Sequence, residues 1–517
     1  MQPIVGSAMS VSLRGLEARR VLVEAALLAG LPSVSIVGLA DAAVHEAKER
    51  LRASFSHIGI QWPNQKLTLN LSPADTEKSG SGYDLAIASA IFGALGYRTL
   101  PRTAAVIGEL GLDGSVRAVR GVLPCALGAV QQGFTHLYVP QANVEEARLV
   151  PGLQVIPVAH LGQMAGMLGA SHAKFEIAQY SYPEHNSADL FAEDSSGDMS
   201  DVYGQNEAIW ALMVAAVGGH HVQMVGPPGV GKSMLAQRFP AILPPLSERE
   251  AVEVAAIRSL GGMRVTELPR CRPLAAPHHS ASTPALVGGG AGIPSPGAVT
   301  FAHNGVLFCD EFPEFSARSI QALRQPMETG WVDLHRTKAH VRYPARFQLI
   351  AAANPCRCGH ALDEHGLCVC KAHERATYRS NLGGPIRDRF DIRLVLNRPS
   401  KAQLAAGSTM TTQGAREVIE QARERSSKRL EAIDSPSPLH TNSQIPGSWL
   451  RRYTKFSPSM EQIIDRQLAL GQISLRGLDR MRRVAWSIAD IRSHEIPSDE
   501  DIAAAFTLRG GDEIYGE

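Results

Sequence analysis

Short apolar runs alternate with amphipathic stretches in the first third of the chain, and this pattern predicts strands alternating with helices. The expected strands are Val11–Leu13, Val34–Val37, Leu67–Leu71, Ala105–Leu110, Leu137–Val139 and Val155–Val158. Helices are expected at Asp41–Ser54 and Asp84–Leu95, and the Asp41 carboxylate suits the positive end of a helix dipole. Alternation of these elements predicts an α/β domain over residues 1–170.

The rest of the chain divides into a linker, a second alternating segment and a helical segment. Residues 171–200 are polar and acidic without an apolar period, which is typical of a linker. Residues 201–400 alternate again, with expected elements at His221–Val225, Ser233–Phe239, Gly305–Glu311, Ser316–Thr329 and Phe347–Asn354. Residues 401–517 are helical, with expected helices at Gln413–Ala432, Ser459–Leu470, Leu478–Ile491 and Asp499–Leu508. The sequence therefore predicts two α/β domains followed by a helical domain.

Residues Trp331–Tyr343 predict a β-hairpin, because apolar and polar residues alternate on both sides of a turn. The turn carries four basic or titratable side chains, His335, Arg336, Lys338 and His340. Such a tip is either simply solvated or, where several subunits bring their tips into one pore, a collar for phosphate backbones. Arg336 and Lys338 are therefore candidate DNA-binding residues.

A long insertion, Ala276–Val299, is rich in glycine, proline and small residues and is not an ordinary core element. His278 and His279 within it are candidate metal ligands, but no acidic or cysteine partner lies at a suitable spacing. We therefore interpret the segment as a structured loop that contacts a neighbour or a ligand.

Composition places the chain among ordinary soluble proteins. Of its 517 residues, 44% are hydrophobic and 20% are charged, and the formal net charge is +1, so any nucleic-acid site must be local. No apolar run reaches about 18 residues, and the N-terminus lacks the order of a signal peptide. We expect a cytoplasmic protein with no membrane partner.

The sequence G-P-P-G-V-G-K-S fits the phosphate-loop pattern at every fixed position. Its residues are Gly226, Pro227, Pro228, Gly229, Val230, Gly231, Lys232 and Ser233. The glycines let backbone N–H groups face phosphate oxygens, Lys232 brings a positive charge to the β- and γ-phosphates, and the Ser233 hydroxyl can bind Mg²⁺. An apolar strand before the loop and a helix after it complete a predicted ATP site.

Two later strand ends supply the other groups that ATP hydrolysis needs. Asp310 and Glu311 follow an apolar run about eighty residues after the loop, where Asp310 would help to hold Mg²⁺ and Glu311 would polarise the attacking water. Asn354, which ends the next apolar run, is placed to sense the γ-phosphate and to position the water.

Four cysteines follow Asn354 directly, and they are Cys356, Cys358, Cys368 and Cys370. Four thiols within fifteen residues suit tetrahedral Zn²⁺, and the alternative is free reduced thiols. His360, His365 and His373 are nearby and could replace one cysteine as a ligand.

The phosphate loop, the Asp-Glu strand end, the strand-end asparagine and the helical domain together resemble an AAA+ ATPase with a helical lid. The sequence R-D-R-F-D resembles the arginine finger that reaches a neighbouring subunit's nucleotide, with Arg389 as the first candidate and Arg387 as the second. The alternative is a salt bridge to Asp388 or Asp391. Arg476, at a helix start, resembles the second sensor that faces the nucleotide, and the alternative is an ordinary solvated arginine.

Three stretches, A-P-H-H-S-A-S, A-H-N-G-V-L-F-C-D-E-F and N-P-C-R-C-G, resemble the bacterial ComM/YifB "Mg chelatase-like" family. The resemblance covers nearly the whole chain. It implies a homo-hexameric ATPase that uses ATP and Mg²⁺ and moves on single-stranded or branched DNA. It further implies a helicase that promotes branch migration in recombination or natural transformation. A magnesium-chelatase-type ATPase subunit is the alternative, because the insertion and the hairpin resemble that clade too.

The first domain resembles the C-terminal domain of Lon proteases, a ribosomal-protein-like α/β fold. K-S-G-S-G-Y-D places Gly82 where the Lon nucleophile stands, and the partner lysine falls near Thr135. Ser79 and Ser81 are close by, but no base is left to activate them. We therefore expect a structural or docking domain, and an ATP-dependent protease is the less favoured alternative.

Overall fold

The computed structural model describes residues 4–38, 41–73, 80–177, 197–290, 294–336, 340–362, 368–381, 384–407 and 410–510. Over these ranges the chain forms two α/β domains and a helical C-terminal domain, which confirms the predicted fold class. Ser79, Lys338, His365 and most of the expected linker lie outside the described residues. No helix within the described ranges is long and apolar enough to cross a membrane.

The first domain is built on a mixed sheet. Its strands are β1 Val5–Arg14, β2 Glu17–Leu28, β3 Ser33–Val37, β4 Lys66–Ser72, β5 Ala104–Val106, β6 Glu109–Leu110, β7 Val116–Arg117, β8 His136–Pro140 and β9 Gln154–Val158. Seven strands pair in the order β3-β4-β2-β1-β5-β8-β9, and β6 pairs with β7. The helices are α1 Ala42–His57, α2 Asp84–Ala94, α3 Val122–Gln131, α4 Val144–Ala147 and α5 Leu161–Met167. The single strand expected at Ala105–Leu110 is thus two short strands, since Gly108 turns to donate its N–H to Gly82.

The second domain holds a parallel sheet that brings the predicted site residues to one edge. Its strands are β10 Val222–Val225, β11 Leu274–Ala275, β12 Gly288–Gly289, β13 Ser295–Pro296, β14 Gly305–Cys309, β15 Trp331–His335, β16 His340–Pro344, β17 Phe347–Ala353 and β18 Ile392–Val395. Five strands are parallel in the order β11-β14-β17-β10-β18. Since β17 lies between β10 and β14, the carboxyl ends that precede the phosphate loop, the Asp-Glu pair and Asn354 are neighbours.

The helices of the second domain are α6 Asn206–Gly218, α7 Lys232–Ile242, α8 Glu248–Leu260, α9 Thr283–Val287, α10 Ala298–Phe301, α11 Ala317–Ala322, α12 Arg324–Thr329, α13 Ala372–Asn381 and α14 Gly384–Arg387. The single helix expected at Ser316–Thr329 is two short helices, α11 and α12. A proline ring clashes with the carbonyl four residues earlier, and Pro326 stands four residues after Ala322, where α11 ends.

The helical domain packs against α6 and α7 and against the edge strand β18. It contains α15 Lys401–Ala406, α16 Thr412–Glu431, α17 Gly447–Tyr453, α18 Pro458–Ala469, α19 Leu475–Arg492 and α20 Asp499–Arg509. Asp391, just before β18, is buried and accepts hydrogen bonds from the His221 N–H (3.2 Å) and the Arg480 guanidinium of α19 (2.6 Å). Burial alone would raise the pKa of Asp391, but Arg480 and His220 hold it well below its usual range. A buried carboxylate therefore ties the lid to the sheet.

Asp391→Ala is expected to lower the free energy of unfolding by about 3–5 kcal/mol, because it removes one partner of a largely buried ion pair. Because the folded-state pKa is lowered, this stability is present above the unfolded pKa of about 4 and is lost as the pH falls toward the folded value. Thermal melting at pH 7 measures the loss. Asp388→Ala, which removes an exposed acid nearby, is the control, and equal melting temperatures for the two variants would contradict this role.

The first domain docks on α8 of the second domain. Ala255 and Ala256 of α8 lie in one apolar cluster with Ala126 and Ala129 of α3. The Gly121 N–H donates to the Ser259 carbonyl at 3.0 Å, and the Leu123 N–H donates to the Ser259 hydroxyl at 3.2 Å. The two α/β domains therefore share a packed and hydrogen-bonded interface.

Candidate functional site

The phosphate-loop motif connects β10 to α7 and adopts a backbone that its glycines permit. Gly229 and Gly231 have φ values of +79° and +95°, in the region that favours glycine. A Cβ on Gly226 would lie 2.5 Å from the Leu396 carbonyl oxygen, so a larger residue does not fit. Because α7 begins at Lys232, directly after the loop, its N-terminus lies where an anion is favoured.

Lys232 connects the phosphate loop to Asn354, which follows the end of β17. Its ammonium group is buried and donates to the carbonyls of Gly226 at 2.7 Å and Pro227 at 3.0 Å. It also donates to the Asn354 side-chain oxygen at 3.0 Å. Burial lowers the pKa of Lys232, and the nearby charge of Asp310 opposes this shift. The structure thus places Lys232 and Asn354 in one site, as the two sequence patterns imply.

The two candidate Mg²⁺ ligands also meet. The Ser233 hydroxyl donates to an Asp310 carboxylate oxygen at 2.8 Å, although the residues are 77 positions apart. A hydroxyl and a carboxylate are hard oxygen donors of the kind that Mg²⁺ prefers beside nucleotide phosphates. The donor set therefore fits this ion.

Glu311 has a backbone conformation that is rare for its residue type, with φ +49° and ψ +43°. This turn directs its half-exposed carboxylate to the His279 ring, where Nδ1 lies 3.0 Å from Oε2. Sequence reasoning placed His279 in a loop that contacts a neighbour or a ligand and missed this partner. The available signal was positional, because His279 follows β11 and β11 pairs directly with the strand that ends in Asp310 and Glu311.

His279→Ala is expected to raise kcat for ATP hydrolysis about two- to fivefold, because a half-exposed ion pair restrains a carboxylate only weakly. The Michaelis constant for ATP should not change, since His279 has no described contact with the phosphate loop. Steady-state ATPase assays measure both constants. His57→Ala, at an exposed histidine of the first domain, is the control. A kcat equal to that of the control would show that the contact has no role in turnover.

Arg389 and Arg476 lie together at a second place. Arg389 is buried and donates to Glu328 of α12. Both arginines line a cavity of about 190 Å³ with Glu328, Asp388, Asp479, Arg480 and Arg483, and no phosphate-loop residue lines it. Arg476 was expected to face the nucleotide, whereas the structure places it beside the candidate arginine finger.

The four predicted cysteines form one cluster, with all four sulfurs within 4.8 Å of one another. The sulfur of Cys356 lies 3.3 Å from that of Cys358, and both lie 3.7 Å from that of Cys368. Four sulfurs at about 2.3 Å from a zinc ion stand about 3.8 Å apart at the corners of a tetrahedron. Among the described residues, neither His360 nor His373 joins the group, so the thiols fit zinc without a histidine.

The cysteines differ in acidity because their surroundings differ. Burial and the neighbouring thiols raise the pKa of Cys356 to about 12. Desolvation also acts to raise the pKa of Cys358, but backbone N–H donors from His360 and Val369 and the Cys356 thiol lower it to about 6. A thiol of low pKa is ready to bind a metal as the thiolate.

The predicted hairpin is present as antiparallel β15 and β16, which pair from Trp331↔Pro344 to His335↔His340. Its base is fixed, because Tyr343 is buried and its hydroxyl donates to the Pro294 carbonyl at 2.6 Å. Arg336 at the last described position before the tip is exposed. Arg14 of the first domain donates to the His340 carbonyl at 2.9 Å, so this domain also contacts the hairpin.

Gly82, at the position of the Lon nucleophile, and the adjacent Ser81 line a cavity of about 550 Å³ between the first and second domains. Ser81 donates to Glu109. Among the described residues, neither a histidine nor a lysine lines this cavity. The described lining residues therefore include no base that could activate Ser81 in the manner of Lon.

Family models match all three domains of the chain. The model described as subunit ChlI of Mg-chelatase matches residues 23–143. The model described as magnesium chelatase, subunit ChlI, matches residues 198–404, and the model described as magnesium chelatase, subunit ChlI C-terminal, matches residues 409–509. YifB of Escherichia coli is 36% identical over 508 residues, which cover 97% of this chain and 96% of YifB. Competence protein ComM of Haemophilus influenzae is 34% identical over 498 residues, which cover 96% of this chain and 95% of ComM. The chain belongs to the Mg chelatase-like ComM/YifB family.

A further relative of this ComM/YifB-family protein is Rv2897c of Mycobacterium tuberculosis, 43% identical over 512 residues, which cover 98% of each chain. The family match confirms the resemblance read from the sequence motifs. It supports an AAA+ ATPase that uses ATP and Mg²⁺, in agreement with the donor groups that meet at the phosphate loop.

Proposed function

We propose that this ComM/YifB-family protein is a cytoplasmic ATP-driven motor that forms a homo-hexameric ring and moves on single-stranded or branched DNA. One observation carries the proposal, namely the short path from the candidate finger to the basic hairpin. Arg389 bonds Glu328 in α12, and a single residue separates the end of α12 from the start of β15. A change at the nucleotide of a neighbouring subunit therefore has a direct mechanical route to the hairpin.

The geometry of the site supports the following roles in hydrolysis. Ser233 and Asp310 would hold Mg²⁺, which supplies positive charge to the phosphates. Lys232 binds the β- and γ-phosphates, and Glu311 accepts a proton from the attacking water. Asn354, whose side chain already lies at Lys232, orients that water.

The hairpin would move when Arg389, the candidate arginine finger, exchanges one bonding partner for another. When Arg389 reaches the γ-phosphate bound by a neighbouring subunit, it leaves Glu328, and α12 is released from this contact. The hairpin shifts with α12, and Arg336 and Lys338 carry the phosphate backbone of one strand with them. Six subunits acting in turn would promote branch migration in recombination or natural transformation.

An Arg336→Ala, Lys338→Ala double variant is expected to lose DNA stimulation of ATPase activity and unwinding of a three-strand branched substrate, while ATPase without DNA persists. The salt dependence of DNA binding should fall by about one unit per lost phosphate contact. Arg148→Ala, Lys174→Ala removes two exposed charges from the first domain and is the matched control. If the wild-type protein does not bind DNA, and if DNA does not change its ATP turnover, the proposed motor function is refuted.

The match to ChlI models favours one alternative, a magnesium-chelatase-type ATPase subunit. Together with partner proteins, such a subunit would insert Mg²⁺ into a porphyrin, and DNA would not change its activity. ATPase activity that responds to porphyrin and partner subunits but not to DNA would favour this alternative.

We also propose that the cysteine cluster, Cys356, Cys358, Cys368 and Cys370, binds one structural Zn²⁺. The sulfur separations match a tetrahedral thiolate site. Elemental analysis of the purified full chain should find about one zinc per chain. Absence of zinc after expression in zinc-supplemented medium would refute this site.

A further inference from the structure

The cysteine cluster reaches the ATP site along the chain. Asn354 bonds Lys232, and only Pro355 separates Asn354 from the fully buried Cys356. A proline ring fixes its own backbone φ, so this connection is short and stiff. The position of the Cys356 sulfur therefore constrains the Asn354 side chain that contacts the phosphate-loop lysine.

A second contact reaches the phosphate loop through space. Gly359 follows Cys358, has φ +84°, and donates its N–H to the Cys356 carbonyl at 3.0 Å. A Cβ placed on Gly359 would lie 2.6 Å and 2.7 Å from the Cδ and Cγ atoms of Pro228. The turn that carries the first two cysteines is thus packed against the phosphate loop itself.

These contacts act on two different parts of the nucleotide site. Asn354 contacts the lysine that binds the terminal phosphates, and Gly359 contacts Pro228, in the half of the loop that precedes that lysine. A tetrahedral ion would hold Cys356 and Cys358 at a fixed separation and join them to Cys368 and Cys370. Both contacts would then be held by one rigid centre.

We propose that metal bound at the cysteine cluster holds the phosphate loop in its nucleotide-binding conformation, so that ATP affinity depends on the metal. The inference rests on the proposed zinc site and does not depend on DNA. It makes the cluster part of the ATP site rather than a remote stabiliser of the fold.

The first test separates the contact from the metal. Gly359→Ala should keep one zinc per chain but raise the dissociation constant for MgATP about tenfold, because its Cβ displaces the turn from Pro228. Gly152→Ala is the control, since Gly152 has nearly the same φ, +81°, with nothing within 4 Å of its Cβ position. Calorimetric titration of the full chain with MgATP measures both variants. Equal affinities for the two variants would overturn the proposal.

The second test removes a metal ligand. Cys370→Ser, at a partly exposed position, should lose zinc and weaken MgATP binding, whereas Cys271→Ser, at an exposed thiol outside the cluster, should change neither. Melting curves establish that both variants are folded. A zinc-free, folded Cys370→Ser protein with wild-type ATP affinity would overturn this proposal without contradicting the proposed zinc site. If the wild-type chain holds no zinc, both the proposed zinc site and this inference are refuted.

Discussion

Glu311→Gln is expected to slow ATP hydrolysis by about 10²- to 10⁴-fold and to leave ATP binding intact. Glutamine keeps the size of the side chain but cannot take a proton from the attacking water. Lys232, Ser233 and Asp310 make their contacts without Glu311, so the groups that hold the nucleotide remain. The variant should therefore accumulate in the ATP-bound state. Single-turnover hydrolysis and equilibrium binding of MgATP measure the two effects separately.

Glu314→Gln is the matched control for this variant. Glu314 is an exposed acid at the end of the short turn, Phe312–Glu314, that follows Glu311, so the charge change is the same three residues away. Hydrolysis by Glu314→Gln should stay at the wild-type rate. Wild-type hydrolysis by Glu311→Gln would assign the base to another group, and loss of MgATP binding would give Glu311 a structural role instead.

The convergence of the ATP-site residues could be predicted because each motif lies at the end of an apolar run. Buried apolar runs form parallel strands, and the carboxyl ends of parallel strands share one edge of a sheet. The assignment of these runs as parallel strands was therefore enough to predict that Lys232, Asp310 and Asn354 lie close together. The structure adds the order β11-β14-β17-β10-β18, which no local pattern contains.

Two elements that were not predicted, α8 and β2, have a signal in their local sequence, whereas one missed contact has none. The sequence S-E-R-E holds a capping box, in which Ser247 and Glu250 begin α8, yet no helix was predicted there. The strand β2 was also missed, although residues 21–28, V-L-V-E-A-A-L-L, are apolar except for Glu24. The pairing of His279 with Glu311 differs in kind, because it depends on which strands are neighbours.

Arg389→Ala is expected to reduce ATP turnover in the assembled protein by about 10³- to 10⁵-fold, the usual contribution of an arginine finger. ATP binding should change little, because Arg389 lies at Glu328 and not at the phosphate loop of its own chain. Steady-state ATPase and MgATP titration distinguish the two quantities. Arg148→Ala, at an exposed arginine of the first domain, should retain wild-type turnover.

A mixture of Arg389→Ala and Glu311→Gln subunits tests whether the finger acts on a neighbouring subunit. Each variant alone should be inactive, but in mixed rings some sites combine an intact Glu311 from one chain with an intact Arg389 from the next. Random assembly of equal amounts places such a pair at about a quarter of the interfaces, so turnover should recover to about that fraction. If Arg389 acted within its own chain, no mixed site would be complete and the mixture would stay inactive. Recovery would therefore establish that the site is shared between subunits, as the proposed ring motor requires.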